Sequence, residues 1–183
     1  MRVIETEIPA VKRVIPKRFG DDRGWFSETF RVDQLAEAGI HNVFVQDNQS
    51  FSAPRGTVRG LHFQTPPAAQ AKLVRVLAGS ILDVVVDIRS KSETFGRYVA
   101  VRLDAESGEQ LFVPAGFAHG FCTLEPNTMV AYKVDAYYSP ENDRNLFWND
   151  PEIGIDWPVS EAEAILSGKD KVAPRLAALG TVF

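Results

Sequence analysis

Between residues 58 and 138 the chain is a succession of strand-length runs rich in β-branched and aromatic residues, each closed by a turn signal. The runs are "VRGLHFQ", "KLVRVLAGSILDVVVDIR", "RYVAVRL", "EQLFV", "AHGFCTLE" and "TMVAYKVDAYY", broken at residues 104–108, 114–116 and 126–127. Short strands at such spacing leave room for antiparallel pairing but not for the helical crossovers that parallel strands require. The pattern predicts a mainly β protein, a jelly-roll barrel of the double-stranded β-helix kind. Gly79-Ser80, in the middle of the longest run, has the glycine-first order of a type II′ hairpin. Helix is expected only at the periphery. "VDQLAEAG" (32–39) is short and amphipathic, and "SEAEAILSG" (160–168) opens on a capping box, Ser160 with Glu163, and closes on Gly168.

A chain of 183 residues suits one substantial core, so residues 1–183 are expected to form a single domain. No run of about 18 apolar residues is present, and "MRVIETEIPAVKR" carries acidic residues where a signal peptide needs an apolar block. A cytoplasmic protein with no membrane partner is predicted. The net charge of −4 gives no electrostatic reason to expect nucleic acid. Any anion must be held by a local group of basic residues. Cys122 is the only cysteine, which excludes an internal disulfide and a multi-cysteine zinc site.

Side chains in a strand alternate between faces, so parity sorts the polar residues. In "TMVAYKVDAYY", Tyr132 and Tyr138 share parity with Thr128, Val130 and Val134. Lys72 shares a row with Val74, Val76 and Ala78. His62 shares parity with Val58 and Gln64, and Arg59 has the opposite parity unless Gly60 marks a bulge. Of the three histidines, His41 follows a helix in "AGIHN" and reads as an exposed loop residue. His62 and His119 are left, with Phe63 and Gln64 where an H-x-H pair would need its second ligand. Two histidines without a carboxylate at ligand spacing make a poor zinc or iron site, so no metal is expected. A base candidate, a phenol and two cations on strands of one small barrel point instead to a common pocket.

The strings "FVQDNQS", "VRGLHFQ", "AQAKLVRV", "DVVVDIR", "TFGRYVAV", "LFVPAGFAHGF", "AYKVDAYYSPE", "WNDPEIGIDWP" and "ILSGKDK" occur in one order from end to end. Together they resemble the dTDP-4-dehydrorhamnose 3,5-epimerase family of the cupin superfamily. The resemblance implies conversion of dTDP-4-dehydro-6-deoxy-α-D-glucose to dTDP-4-dehydro-β-L-rhamnose without metal, nicotinamide or any other cofactor. It implies His62 as general base, Asp170 as the carboxylate that orients it, Lys72 as the cation for the enolate oxygen and Tyr132 as the acid on the opposite face. It also implies that Arg23, Glu28, Gln46, Asp47, Asn48 and Arg59 hold the thymidine and its pyrophosphate. Tyr138 would stack on thymine, with Phe19 and Phe26 as partners in that stack, and His119 and Lys169 would contact substrate. Asp143 stands where the family more often has glutamate, which implies a shorter or water-mediated contact there.

The same resemblance implies a homodimer whose N-terminal strand joins the partner's sheet. "MRVIETEIPAVKRVI" does read as a strand. Relatives on this skeleton epimerise one centre only or move the ketone, so a single-site epimerase or ketoisomerase is the nearest alternative, and a metal-dependent cupin enzyme a more distant one.

Overall fold

The periodicity of residues 58–138 resolves into seven antiparallel strands in a computed structural model that describes residues 1–183. Ahead of them come β1 (Arg2–Glu5), β2 (Lys12–Ile15), β3 (Arg18–Asp21), β4 (Gly24–Ser27), helix α1 (Val32–Glu37) and β5 (Gln46–Ser52). The seven are β6 (Val58–Gln64), β7 (Lys72–Ala78), β8 (Ser80–Asp87), β9 (Tyr98–Asp104), β10 (Gln110–Val113), β11 (Phe117–Thr123) and β12 (Thr128–Val134). A short β13 (Asp143–Asn145) and the one-turn α2 (Gly168–Lys171) follow. Two sheets face each other, one ordered β1-β2-β10-β7-β12-β5 and the other β13-β6-β11-β8-β9, while β3 and β4 form a separate ribbon.

Apolar side chains fill three layers. Between the sheets lie Val74, Val76, Ile81, Val85, Leu111, Phe117, Phe121 and Val130. Outside the five-stranded sheet, Val84, Val86, Ala118 and Leu146 are covered by Trp148, Ile155 and Trp157 of the C-terminal segment. Outside the six-stranded sheet, Leu73 and Phe112 are covered by Leu35 and Ile40 from α1 and the turn after it. β8 is therefore buried on both faces, which explains why "ILDVVVD" reads as a nearly unbroken apolar run. Each fully buried Val, Leu or Phe contributes about 1.5–3 kcal/mol of transfer free energy, so these layers hold the strand order.

Three local expectations are corrected. The strands flanking Gly79 do not pair as a hairpin, because β7 belongs to the six-stranded sheet and β8 to the five-stranded one. Gly79 does take a positive φ of 75°, but the turn carries the chain across the barrel, tight against Thr128. The 160–168 segment forms no helix. Its capping box is made, with Ser160 Oγ donating to Glu163 Oε2 at 2.6 Å, yet only one turn follows. Ile165 then bridges Thr57, accepting from Val58 N at 2.9 Å and donating to Gly56 O at 3.0 Å. Gly168 opens α2 instead of closing a helix. The N-terminal segment is two strands, not one: β1 and β2 pair antiparallel within the chain, and β1 is an edge of its sheet.

Candidate active site

The barrel interior is apolar towards one end and polar towards the other, where a pocket of about 380 Å³ opens between the sheets. From the five-stranded sheet it receives Arg59 and His62 on β6 and His119 on β11; from the six-stranded sheet, Lys72 on β7 and Tyr132 on β12; and from the C-terminal segment, Lys169 and Asp170 on α2.

Arg59 and His62 share this face because β6 is irregular at Gly60. The β6–β11 register runs His119 opposite His62 but Phe121 opposite Arg59, one residue out of step. Gly60 has φ +120°, and a Cβ there would sit 2.6 Å from Gly120 Cα; one on Gly120 would sit 2.6 Å from Arg59 O. Two glycines let the strands approach closely enough to absorb the extra residue. Val58 is thereby turned into the outer apolar layer, away from His62, which corrects the parity read from the sequence.

His62 Nε2 lies 2.7 Å from Asp170 Oδ1. Burial pulls the imidazole below its ordinary value of 6.5 and outweighs the opposing pull of Asp170, so the ring is neutral at pH 7. With Nε2–H donated to the carboxylate, the lone pair resides on Nδ1. Burial alone would raise the Asp170 carboxyl; hydrogen bonds from His62, from Ser167 Oγ at 2.8 Å and from the Gly60 backbone hold it below its usual range. Asn145 Nδ2 adds a further contact at 3.1 Å. Ser167 also caps α2 by accepting from Asp170 N, so the residue that starts the helix also aims its carboxylate.

Lys72 is 8% exposed, and its ammonium donates to His62 O at 3.2 Å. Burial lowers its pKa to about 8, against the opposing pull of Asp83 and Asp143. Burial likewise raises the Tyr132 phenol, which keeps it protonated at neutral pH. His119 Nε2 lies 2.7 Å from Asp83 Oδ1, both side chains buried. Lys169 pairs with Asp143 at 3.0 Å. Arg59 is anchored across the barrel, Nε to Ser52 Oγ at 3.1 Å and Nη2 to Phe51 O at 2.9 Å.

The remaining predicted residues divide into those near the pocket and those away from it. Gln46 and Asn48 face inward on β5, joined by a 2.8 Å hydrogen bond, and Gln46 Oε1 accepts from Tyr138 N at 3.3 Å. Tyr138 lies beyond the end of β12, so strand parity does not place it, and it is exposed. Asp47 turns to the outer face, where both oxygens pair with Lys133 at 2.9 Å. Phe19, Arg23, Phe26 and Glu28 do not line the pocket. The ribbon β3–β4 and the segment after it lie along the outer face of the six-stranded sheet, beside Arg75, Leu77 and the 105–108 turn. His41 is exposed in its loop.

Two residues escape a reading of the sequence. Ser50 Oγ and Asp83 Oδ2 are buried side-chain oxygens without a hydrogen-bond partner, the first lining the pocket and the second beneath His119. Asp83 had a signal: it is a charged residue set between the apolar Ile81 and Val85 on one row of β8.

Two antiparallel sheets enclosing an imidazole–carboxylate pair, a phenol and a buried ammonium define a cupin-type barrel equipped to move protons on carbon. A family model described as dTDP-4-dehydrorhamnose 3,5-epimerase matches residues 5–178. A dTDP-4-dehydrorhamnose 3,5-epimerase from Sinorhizobium fredii is 51% identical over 176 residues, 96% of this chain and 90% of that protein. Among solved structures, the corresponding epimerase from Bacillus anthracis, with TDP and PPi bound, is 50% identical at a TM-score of 0.92, covering 95% of this chain and 98% of that one. A dTDP-6-deoxy-D-glucose-3,5-epimerase from Legionella pneumophila, in complex with dTDP-4-keto-L-rhamnose, is 45% identical at a TM-score of 0.92, covering 97% and 94%. The chain belongs to the dTDP-4-dehydrorhamnose 3,5-epimerase family.

Proposed function

We propose that the chain is an isomerase that converts dTDP-4-dehydro-6-deoxy-α-D-glucose to dTDP-4-dehydro-β-L-rhamnose, in the making of dTDP-L-rhamnose, by removing and returning a proton at C3 and at C5. Both carbons flank the C4 ketone, so each proton removed leaves an enolate whose charge rests on O4. The observation that carries this reading is that His62 and Tyr132 enter one pocket from opposite sheets. A base on one wall and an acid on the other can invert a centre, whereas one group acting on one face returns the proton where it was.

His62, neutral and held by Asp170, takes the proton on Nδ1 and the carboxylate stabilises the imidazolium. Lys72 faces O4 as a donor, preorganised by burial, and His119 contacts the sugar beside it. Tyr132 gives its proton from the far side and is reprotonated from solvent. Arg59 holds the pyrophosphate, its planar fork suited to paired acceptors. Gln46, Asn48 and Tyr138 hold the thymidine, and Lys169 and Asp143 border the sugar. Residues 1–183 act as one cytoplasmic catalytic domain; no helix is long and apolar enough to cross a membrane.

The nucleotide end supports a homodimer. Phe19, Arg23, Phe26 and Glu28, which the resemblance assigns to the nucleotide, sit on or just after a ribbon with three exposed aromatics: Phe19 at 49%, Trp25 at 59% and Phe26 at 67%. A two-fold pair in which each ribbon reaches the other's pocket would cover them and complete the nucleotide site. The free edge of β1 is available to the partner's sheet.

Turnover of dTDP-4-dehydro-6-deoxyglucose in D₂O, followed by NMR and mass spectrometry of the product, tests the reading. Two deuterons, at C3 and C5, with both centres inverted are expected. Label and inversion at one carbon alone would make the protein a single-site epimerase, and a ketone at C3 a ketoisomerase.

A further inference from the structure

His62 and His119 are direct cross-strand partners on β6 and β11, and each ring is bonded to its own aspartate at 2.7 Å. The first pair is accounted for by the base. The second is more deeply buried, with His119 6% and Asp83 0% exposed, and the mechanism so far uses His119 without its carboxylate. Asp83 is costly to place there. A carboxylate without contact to water, with Oδ2 unpartnered, destabilises a fold unless nearby positive charge compensates it.

The compensating groups are at hand. His119 meets Oδ1, and the Lys72 ammonium is within electrostatic reach on the facing sheet. We propose that Asp83 is a positioning residue of the epimerase reaction: by accepting Nε2–H it fixes the His119 ring with Nδ1 as an acceptor on the pocket side, and it sets a negative charge across the barrel from Lys72, so that the Lys72 ammonium meets O4 as the enolate forms. The inference rests on the proposed reaction. The two histidine–aspartate pairs then divide the work, one accepting the proton and the other holding the wall that faces the sugar.

The groups around Lys72 set the direction of the pH effect. Asp83 from β8 and Asp143 from β13 favour its charge, and Lys169 from α2 opposes it. His62, His119, Arg59, Tyr132 and Asp170 border the same pocket. Loss of Asp83 removes an anion and makes Lys72 easier to deprotonate. Wild-type kcat/KM should therefore fall as pH rises through about 8, and in Asp83→Asn that fall should move to lower pH.

The test compares wild type, Asp83→Asn, Lys72→Met and the double variant as full chains, by kcat, KM and pH profile. Asp83→Asn is expected to lower kcat by about 10- to 100-fold, the scale on which orienting partners act at other sites, with KM nearly unchanged. It should shift the alkaline limb downward, and it should add little to Lys72→Met. A lower melting temperature with the limb unmoved and effects that simply add would make Asp83 structural and overturn the proposal. ¹⁵N NMR of wild-type His119 needs no variant: a protonated Nε2 is expected, and a bare Nε2 overturns it. With no turnover by wild type the reaction and the inference both fall; with wild-type turnover and Asp83→Asn unaltered only the inference falls.

Discussion

At the end of the pocket that holds His62, the groups around the base are buried: Lys72 is 8% exposed, His119 6% and Asp170 2%. At the other end Tyr138 is 58% exposed, and Phe19, Arg23 and Phe26 stand on a ribbon against the outside of the six-stranded sheet. Chemistry and binding are thus built by different means. Proton transfer needs groups fixed to within fractions of an ångström and shifted by burial, which one barrel supplies from its own two walls. A nucleotide needs area and paired donors, which in the proposed dimer a second copy would bring to an open rim.

The comparison breaks first at His62. Replacing it with alanine should cost about 10²- to 10⁴-fold in kcat, the worth of general-base assistance, with dTDP affinity retained because the rim is untouched. Asp170→Asn should cost less, through a misoriented imidazole. Because burial keeps His62 below 6.5, the acid limb of kcat/KM should lie below that value in wild type. Stopped assays and calorimetry with dTDP check both ends, and a His62→Ala protein that turns over normally or loses dTDP would dissolve the division.

The rim is tested by mixing. Arg23→Ala and His62→Ala proteins should each be weak alone, and dimers exchanged from the two should recover about a quarter to a half of wild-type turnover, since one pocket in the mixed dimer escapes both changes. No recovery would return Arg23 to its own chain's pocket. Arg59→Ala, by contrast, should raise the Kd for dTDP by about tenfold in every subunit and should not complement, because Arg59 lies on β6 beside His62.

Much of the candidate site's buried end was legible from residue order. Periodicity located the strands, and parity put Tyr132 and Lys72 on buried rows; with the bulge at Gly60, Arg59 and His62 meet on one face. What local pattern could not supply was partner choice. Gly79 has the chemistry of a hairpin, but a strand apolar on both faces gains more by crossing to the second sheet. The capping box at Ser160 forms and then yields, because Ile165 finds backbone partners on Gly56 and Val58 that a helix would forfeit. Asp47 looked like its neighbours Gln46 and Asn48, yet period-two alternation turns it outward to Lys133. Asp83 was passed over because an aspartate in a strand is commonly on the solvent side, and only the facing sheet shows that this row points inward.

Tyr132→Phe reaches the central claim directly, since it keeps the ring and removes only the proton donor on the wall opposite His62. The variant is incubated with dTDP-4-dehydro-6-deoxyglucose in D₂O, and exchange and inversion are scored separately at C3 and C5. Continued uptake of deuterium by the unreacted sugar, with inversion suppressed by at least about tenfold relative to exchange, is the predicted result. Equal losses of exchange and inversion, or undiminished inversion, would contradict a base and an acid acting from opposite sheets.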